Sequence, residues 1–223
     1  MKTVRMLRLI CLVMFCISLV LMLQIPTWLR LQKNEVADPA QTPFLTMKNN
    51  DLVQGEISYV LGCAATEQNG IWSTEIYSEG KKSYYVLWQP LGQMILYATN
   101  DAYEQLYLQQ IMNETLTYTE SIQRYQQSGD YEDLVPPVTT LKMQGVVSRM
   151  PQSVAEQFDS WRNAENNIDS TQCNTTYYIS HTGFQRYAVL SIIGLCCMAI
   201  TLTLFCCLPF ATKRAKQQLQ RTK

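Results

Sequence analysis

Tyr187-Ala-Val-Leu-Ser-Ile-Ile-Gly-Leu-Cys-Cys-Met-Ala-Ile-Thr-Leu-Thr-Leu-Phe-Cys-Cys-Leu-Pro-Phe-Ala211 is an unbroken uncharged run, ended by Thr212-Lys213-Arg214. Only Ser191, Gly194, Thr201, Thr203 and Pro209 break its apolar character. A soluble domain can bury a shorter helix of this kind, but this length with a basic stop reads as a membrane span. A second uncharged run extends from Leu9 to Leu29. At about 1.5 Å per residue it reaches about 31 Å, matching a bilayer core of about 30 Å. Trp28 then falls at the far interface, where its amphipathic ring is favoured. The competing reading is a cleaved signal peptide with Lys2, Arg5 and Arg8 as its basic region. The apolar stretch is longer than a typical signal core, and Gln24-Ile-Pro-Thr-Trp28 makes a poor cleavage site.

Charge orients the pair. Three basic residues precede the first run and five follow the second, with no acidic residue in either flank. The positive-inside rule places both flanks in the cytoplasm, a parity that two spans require. Between them, residues 31–186 carry 9 basic and all 18 acidic residues, a net charge of −9. The expected layout is a cytoplasmic tail at 1–8, a span at 9–29, a juxtamembrane linker at 30–50, an extracytoplasmic domain at 51–186, a span at 187–211 and a basic cytoplasmic tail at 212–223. The localisation this implies is a cell membrane, with the bilayer as the first partner. An acidic face excludes nucleic acid, which needs a basic footprint, and adhesion of this domain to anionic headgroups.

Working inward, Val53-Gln-Gly-Glu-Ile-Ser-Tyr-Val-Leu61 puts an apolar residue or glycine at every odd position, the period of a half-buried strand. Ile71 to Tyr77 reads as a weaker strand closed by a turn at Ser78-Glu-Gly-Lys81. Tyr84-Tyr-Val-Leu-Trp88 and Met94-Ile-Leu-Tyr97 flank Gln89-Pro-Leu-Gly92, a type I turn signature, and predict a hairpin. Asn100 or Asp101 caps a helix whose face is read from Tyr103, Tyr107, Ile111, Tyr118, Ile122 and Tyr125, with Gly129 ending it. Thr139 to Ser148 alternates as a strand. A short helix opens at Pro151 or at the capping box Ser153-Val-Ala-Glu156, with Val154, Phe158 and Trp161 on one face. Thr175 to Ser180 is a last strand. The order β-β-β-β-α-β-α-β predicts an α+β domain with a mostly antiparallel sheet and two helices.

Val53-Gln-Gly-Glu-Ile-Ser58 and Met143-Gln-Gly-Val-Val-Ser148 share a frame. Glycine inside a strand marks a bulge or a tight bend, so the echo predicts a strongly coiled sheet or a small open barrel; chance in so short a window is the alternative.

Cysteine use divides by compartment. Cys11, Cys16, Cys196, Cys197, Cys206 and Cys207 lie in the spans, leaving Cys63 and Cys173 outside. An isolated pair in an oxidising compartment reads as a disulfide, worth about 4 to 5 kcal/mol in the chain-entropy model for so long a loop; two free thiols are the alternative. The doublets Cys196-Cys197 and Cys206-Cys207 read as small apolar packing before metal binding or acylation. The single histidine, His181, stands close to the second span and could titrate as a sensor, but nothing beside it supports a metal site. No nucleotide, hydrolase or zinc-protease motif occurs, so no catalytic residue and no cofactor are assigned. Trp72 and Trp88 are candidates to line a ligand groove, although strand aromatics are more often core. Asn113 and Asn174 open glycosylation sequons. The domain then reads as a non-enzymatic binding, sensing or scaffolding module for a membrane-protein partner or a second copy. An accessory subunit of a transport or secretion complex, and an envelope enzyme with a site assembled from distant residues, are the alternatives.

With the spans, the Val-Gln-Gly-Glu-Ile-Ser strand and the Tyr-Tyr-Val-Leu-Trp…Met-Ile-Leu-Tyr hairpin in hand, the chain resembles uncharacterised two-span membrane proteins of Gram-positive (Firmicutes-type) gut bacteria. The resemblance covers the layout and the stretch from Asp51 to Asn100. It implies that the sequons carry no glycan and that the disulfide is less secure, and it brings no catalytic residue with it.

Overall fold

The computed structural model describes residues 2–68, 71–73, 81–89, 92–131, 134–165 and 168–221, with side chains outside 2–5, 7–8, 165 and 208–221. The chain forms two compact units, Glu35–Gly183 and the pair of end segments Met1–Asn34 and Phe184–Lys223.

Among the described residues the central unit holds seven strands: β1 (Leu52–Ile57), β2 (Val60–Gln68), β3 (Ile71–Ser73), β4 (Lys82–Trp88), β5 (Met94–Thr99), β6 (Leu141–Arg149) and β7 (Cys173–His181). They form one sheet in the order β1-β6-β7-β5-β4-β2-β3. Every pairing is antiparallel except β5 with β7. The α+β class and the mostly antiparallel sheet are as the sequence predicts. The barrel alternative is not realised, since β1 and β3 remain separate edges. The first predicted strand is two strands, broken at Ser58-Tyr59, so five strands rather than four precede the first helix of the domain.

The β4–β5 hairpin is the centre. Tyr85, Leu87, Ile95 and Tyr97 enter one core, while Tyr84, Val86, Leu96 and Ala98 enter the other. A strand buried on both faces needs cover on both. Helix α3 (Ala102–Ser128) covers the first face with Leu108, Ile111 and Met112, and α4 (Gln152–Glu165) covers the second with Val154 and Phe158. At the hairpin turn Gly92 N–H donates to Gln89 O at 2.8 Å, with Gly92 at φ 83°. Pro90 and Leu91 lie outside the described residues, as do 74–80, the rest of the second predicted strand and most of its turn.

The ends of α3 are as expected, and its face is so only in part: Ile111 is buried and Tyr107 packs against the core, but the stripe is centred elsewhere. Asp101 caps it by accepting from Glu104 N–H at 3.0 Å, and Gly129 ends it in the left-handed region at φ 74°. The buried face is Glu104, Gln105, Leu108, Ile111, Met112, Thr115 and Ser121, whereas Tyr103 is 63% exposed. Tyrosine spacing therefore misplaces the stripe. The polar side chains in core positions are bonded there, Gln105 Nε2 donating to Lys81 O and Thr99 O and Thr115 Oγ1 to Ile111 O, although Gln105 Oε1 has no partner among the described residues.

Of the linker expected at 30–50, the part up to Gln32 ends a helix of the other unit, and the arm from Glu35 belongs to the folded central unit. Phe44 and Met47 are buried in the core under α3. Gln89 clamps the arm by donating to Pro39 O and Thr42 O while accepting from Phe44 N–H. Ala37 bridges Val53, covering part of the β1 edge.

The echoed segments meet. β1 and β6 pair with Gln54 opposite Gln144, Gly55 opposite Met143 and Val53 opposite Gly145. Both glycines stand at close approaches. A Cβ on Gly55 would stand 2.5 Å from Pro39 Cδ, and one on Gly145 would stand 2.5 Å from Ile179 Cγ2 and 2.8 Å from Ser180 O.

In the other unit, α1 (Lys2–Met22) and α2 (Ile25–Gln32) are separated by a turn in which Leu23 and Gln24 bond three residues back instead of four. Pro26, at the start of α2, causes the break, because it lacks an N–H and clashes with the preceding turn. Helix α5 spans Gln185–Arg221. Leu9–Gln32 and Gln185–Cys207 are long and apolar enough to cross a membrane, with only 11% and 17% of their apolar windows buried. The helices pack along a seam of small residues. Cys11 and Ser18 on α1 and Ser191, Gly194 and Thr201 on α5 are buried, while Leu9, Val20, Val189 and Phe205 face outward. Spacings of three, four and three from Ser191 through Gly194 and Met198 to Thr201 follow the heptad-like repeat of paired helices. At Gly194 a Cβ would lie 2.9 Å from Leu21 Cβ.

Replacing Gly145 with alanine therefore overpacks the β6–β7 contact, at a cost of about 1–3 kcal/mol. Thermal unfolding of the full chain in detergent, followed by circular dichroism, should show a midpoint about 3–10 °C lower. Gly183→Ala, where a Cβ meets nothing within 4 Å, should leave it unchanged; equal melting of the two variants refutes the packing argument.

Candidate functional site

β2 is paired unevenly. Along one side it meets β4 from Val60 to Glu67, with register shifts between Val60 and Gly62 and between Cys63 and Ala65. Along the other it meets β3 only at Thr66, Glu67 and Gln68. Among the described residues no strand pairs with Val60–Ala65 on the outer side. Val60 N–H is instead taken by Thr115 Oγ1 of α3 at 3.1 Å. Such an edge is a template for an added strand unless it is covered.

Here it is flanked. Helices α3 and α4 lie on opposite faces of the sheet, and beside β2 they leave a cavity of about 360 Å³. Its walls are the β2 segment Leu61 to Ala64, Met112 and Leu116 of α3, and Gln157, Ser160, Trp161 and Ala164 of α4. The α4 residues recur at three, one and three, which is one helix face. Trp161 lies against the strand, its Cζ2 2.8 Å from where a Gly62 Cβ would be. Glycine at 62 is what lets the indole approach. None of the hydrogen bonds among the described residues uses the indole Nε1–H, whose nitrogen lies 3.1 Å from where a Gly62 Cβ would be, so the ring is a rigid aromatic wall set against the strand. The helical period puts Trp161 on the core side of α4, and nothing in that period marks it as a wall of a cavity. The signal available is Gly62, since glycine in an apolar strand marks a close approach.

The candidate aromatics are not joined. Trp72 on β3 packs by Tyr84, with ring centroids 5.7 Å apart, and Trp88 at the far end of β4 packs by Tyr59 at 5.5 Å. Glu67 opposes both Trp72 and Lys82, so the two tryptophans stand at opposite ends of β4. Neither lines the β2 cavity.

Cys63 and Cys173 are both free thiols. They sit on strands separated by β4 and β5, which is about 14 Å at the usual strand spacing, and on opposite faces of the sheet. A disulfide requires Cα atoms within about 7 Å, so this fold does not join them. Burial pushes both thiols up from their ordinary value, against the hydrogen bond from Thr66 at Cys63 and against Arg162 at Cys173. Protonated thiols are poor nucleophiles. Of the sequons, Asn113 is exposed on α3, whereas Asn174 is buried, donating to Phe44 O and accepting from Thr176 and Tyr177 N–H.

His181 has partners that its sequence neighbours do not disclose. Its Nδ1 is 2.9 Å from Glu104 Oε2 and 3.0 Å from Tyr97 Oη, and Tyr97 O–H donates to the same carboxylate oxygen at 2.8 Å. The parallel β5–β7 pairing brings Tyr97 and His181 together, and the first turn of α3 supplies Glu104. The set is satisfied when both Nδ1–H and the phenol donate to Glu104. Tyr97 is fully buried, so the cluster serves first as a polar tie across the core. Burial, followed by the Glu104 charge and hydrogen bond, raises the Tyr97 phenol well above its ordinary value. Among the described residues no group of three or more His, Cys, Asp or Glu could hold a metal ion.

A raised phenol in the folded state gives stability that is complete below the unfolded value of about 10 and is lost as pH rises through the folded one. Denaturant midpoints of the wild type should fall as pH is raised above about 10. Tyr97→Phe should lower stability at neutral pH by about 1.5–3 kcal/mol, for the lost bond to a carboxylate, and flatten the alkaline fall. An unchanged alkaline slope would contradict the assignment. The chain matches no family model, no curated protein and no solved structure.

Proposed function

We propose that this is a two-span membrane protein whose acidic central unit, Glu35–Gly183, stands outside the cytoplasm and binds a partner or ligand. The membrane part is supported by two apolar helices whose large side chains face outward while small residues occupy their seam. That is the reverse of a soluble helix pair, and it is what packing in lipid needs. The orientation follows from charge. The unit carries 18 acidic and 7 basic residues, whereas the flanks Lys2–Arg8 and Lys213–Lys223 carry only basic ones.

Binding rests on one observation, the cavity at the uncovered side of β2. It offers strand-edge backbone, the apolar Leu61, Met112 and Leu116, the polar Gln157 and Ser160, and the Trp161 ring. Backbone on an edge recognises any extended chain, and side-chain pockets beside it select which one. A rigid aromatic in a walled cavity is the type of residue that dominates binding energy.

The test uses the full chain in its native membrane, with a photo-crosslinking amino acid in place of Ser160 or, as a control, of exposed Asn113 on α3. Ser160 should give a discrete adduct by mass spectrometry and Asn113 none. Adding Trp161→Ala should cut the Ser160 adduct about tenfold or more, as for an interface hot spot. No adduct at Ser160, or equal adducts at both positions, contradicts the proposal.

A further inference from the structure

We propose that α1 and α5 together form a site for one anionic phospholipid, its acyl chain between the helices and its headgroup at their basic ends. The inference rests on the membrane reading above.

The acyl part is a cavity of about 340 Å³ lined by Cys11, Leu12, Phe15, Thr201, Leu202 and Phe205, within the range of small-ligand sites, about 300–1,000 Å³. Cys11 and Thr201 are its buried floor, and Leu12, Phe15, Leu202 and Phe205 are its exposed walls. Thr201 adds no polarity, because its hydroxyl already donates within α5 to Cys197 O at 2.7 Å and reaches Met198 O at 3.0 Å. What is left is a hydrocarbon-lined cleft open to the side, suited to a chain and unsuited to a polar solute.

The headgroup part follows from helix direction. Gly194 meets Leu21 and Met22, while Thr201 and Phe205 share the cavity with Cys11 and Phe15. As α5 advances α1 recedes, so the helices are antiparallel and the start of α1 lies level with the last third of α5. Beyond the cavity, Arg8, Arg5 and Lys2 follow at successive turns of α1 toward its start. Lys213, Arg214 and Lys216 follow Phe205 on the later turns of α5, in the same direction. The nearest acidic residue in sequence is Glu35, which follows α2 at the opposite end of the hairpin. An apolar cleft beneath two all-basic helix ends matches a negative headgroup carrying acyl chains. A zwitterionic headgroup meets the same ends with no net attraction, and basic pockets between spans on the cytoplasmic side bind acidic lipids for this reason.

The experiment places the full chain in nanodiscs of equal phosphatidylglycerol and phosphatidylcholine and counts the lipid retained by native mass spectrometry. The wild type should retain phosphatidylglycerol about tenfold over phosphatidylcholine, since each basic residue contributes up to about fivefold. Replacing Arg5, Arg8, Lys213 and Arg214 together by glutamine should bring the two lipids to parity, while Arg5→Lys with Arg8→Lys keeps the preference. Phe15→Ala with Phe205→Ala should reduce retained lipid of both kinds. Parity in the wild type, a preference that survives the glutamine variant, or displacement of the lipid by soluble glycerol phosphate would overturn the site. Alkaline carbonate washing of the same membranes separates the two readings. Protein that stays in the pellet without lipid preference leaves the spans standing and removes the site, whereas protein released by carbonate removes the spans as well.

Discussion

Burial of β4 and β5 on both faces is the constraint from which the rest of the central unit follows. A strand with no solvent face has to be the middle of three layers, so one helix is needed on each side. The chain meets that need in sequence order: α3 crosses one face, β6 returns, and α4 crosses the other. What remains open is the β5 edge, and β7 fills it in parallel. Because it does, His181 arrives beside Tyr97, and the polar contact that ties β5, β7 and α3 together is complete. The same layering leaves the outer side of β2 between two helices, which is where the cavity lies. The sheet order is thus cause, and the candidate site is consequence.

Elements whose signal is local can be read from the chain directly. The Tyr84–Tyr97 hairpin is one, since β-branched and aromatic residues on either side of Pro-Leu-Gly leave few alternatives. Asp101 and Gly129 are others, because a cap and a left-handed end are local chemistry. Features set by non-local packing cannot be read this way. Glu104 and Gln105 look like solvent residues until their partners on β5, β7 and the segment before β4 are known. Phe44 and Met47 sit among Pro39, Pro43 and Asn50, a composition that reads as linker, yet both are in the core, and Gln89 bonds Phe44 from 45 residues away. The Cys63–Cys173 pairing fails for the same reason: compartment logic pairs cysteines by where they are, and strand order decides whether they can touch.

The helical unit obeys the opposite rule of assembly. In the bilayer proposed for it nothing rewards hiding leucine, and the unit fits that rule: its contact surface is where side chains are smallest and its outer surface is where they are largest. Ser191, Gly194 and Thr201 are legible in the sequence as such a stripe, and the buried Ser18 and Cys11 of α1 meet it. The break before Pro26 is less visible, because Leu9 to Leu29 reads as one uncharged run until the bonding of Leu23 and Gln24 is seen. The seam is tight at Gly194, and the cleft lies where Cys11 and Thr201 form its floor.

The account stands on the orientation of the two units with respect to a bilayer. Epitope tags inserted after Gly129 and after Lys223 of the full chain, probed with antibody in intact and then permeabilised cells, measure it directly. The tag after Gly129 should be labelled on intact cells and the tag after Lys223 only after permeabilisation. Labelling of the Lys223 tag on intact cells, or a Gly129 tag that stays silent until the membrane is opened, would contradict the account.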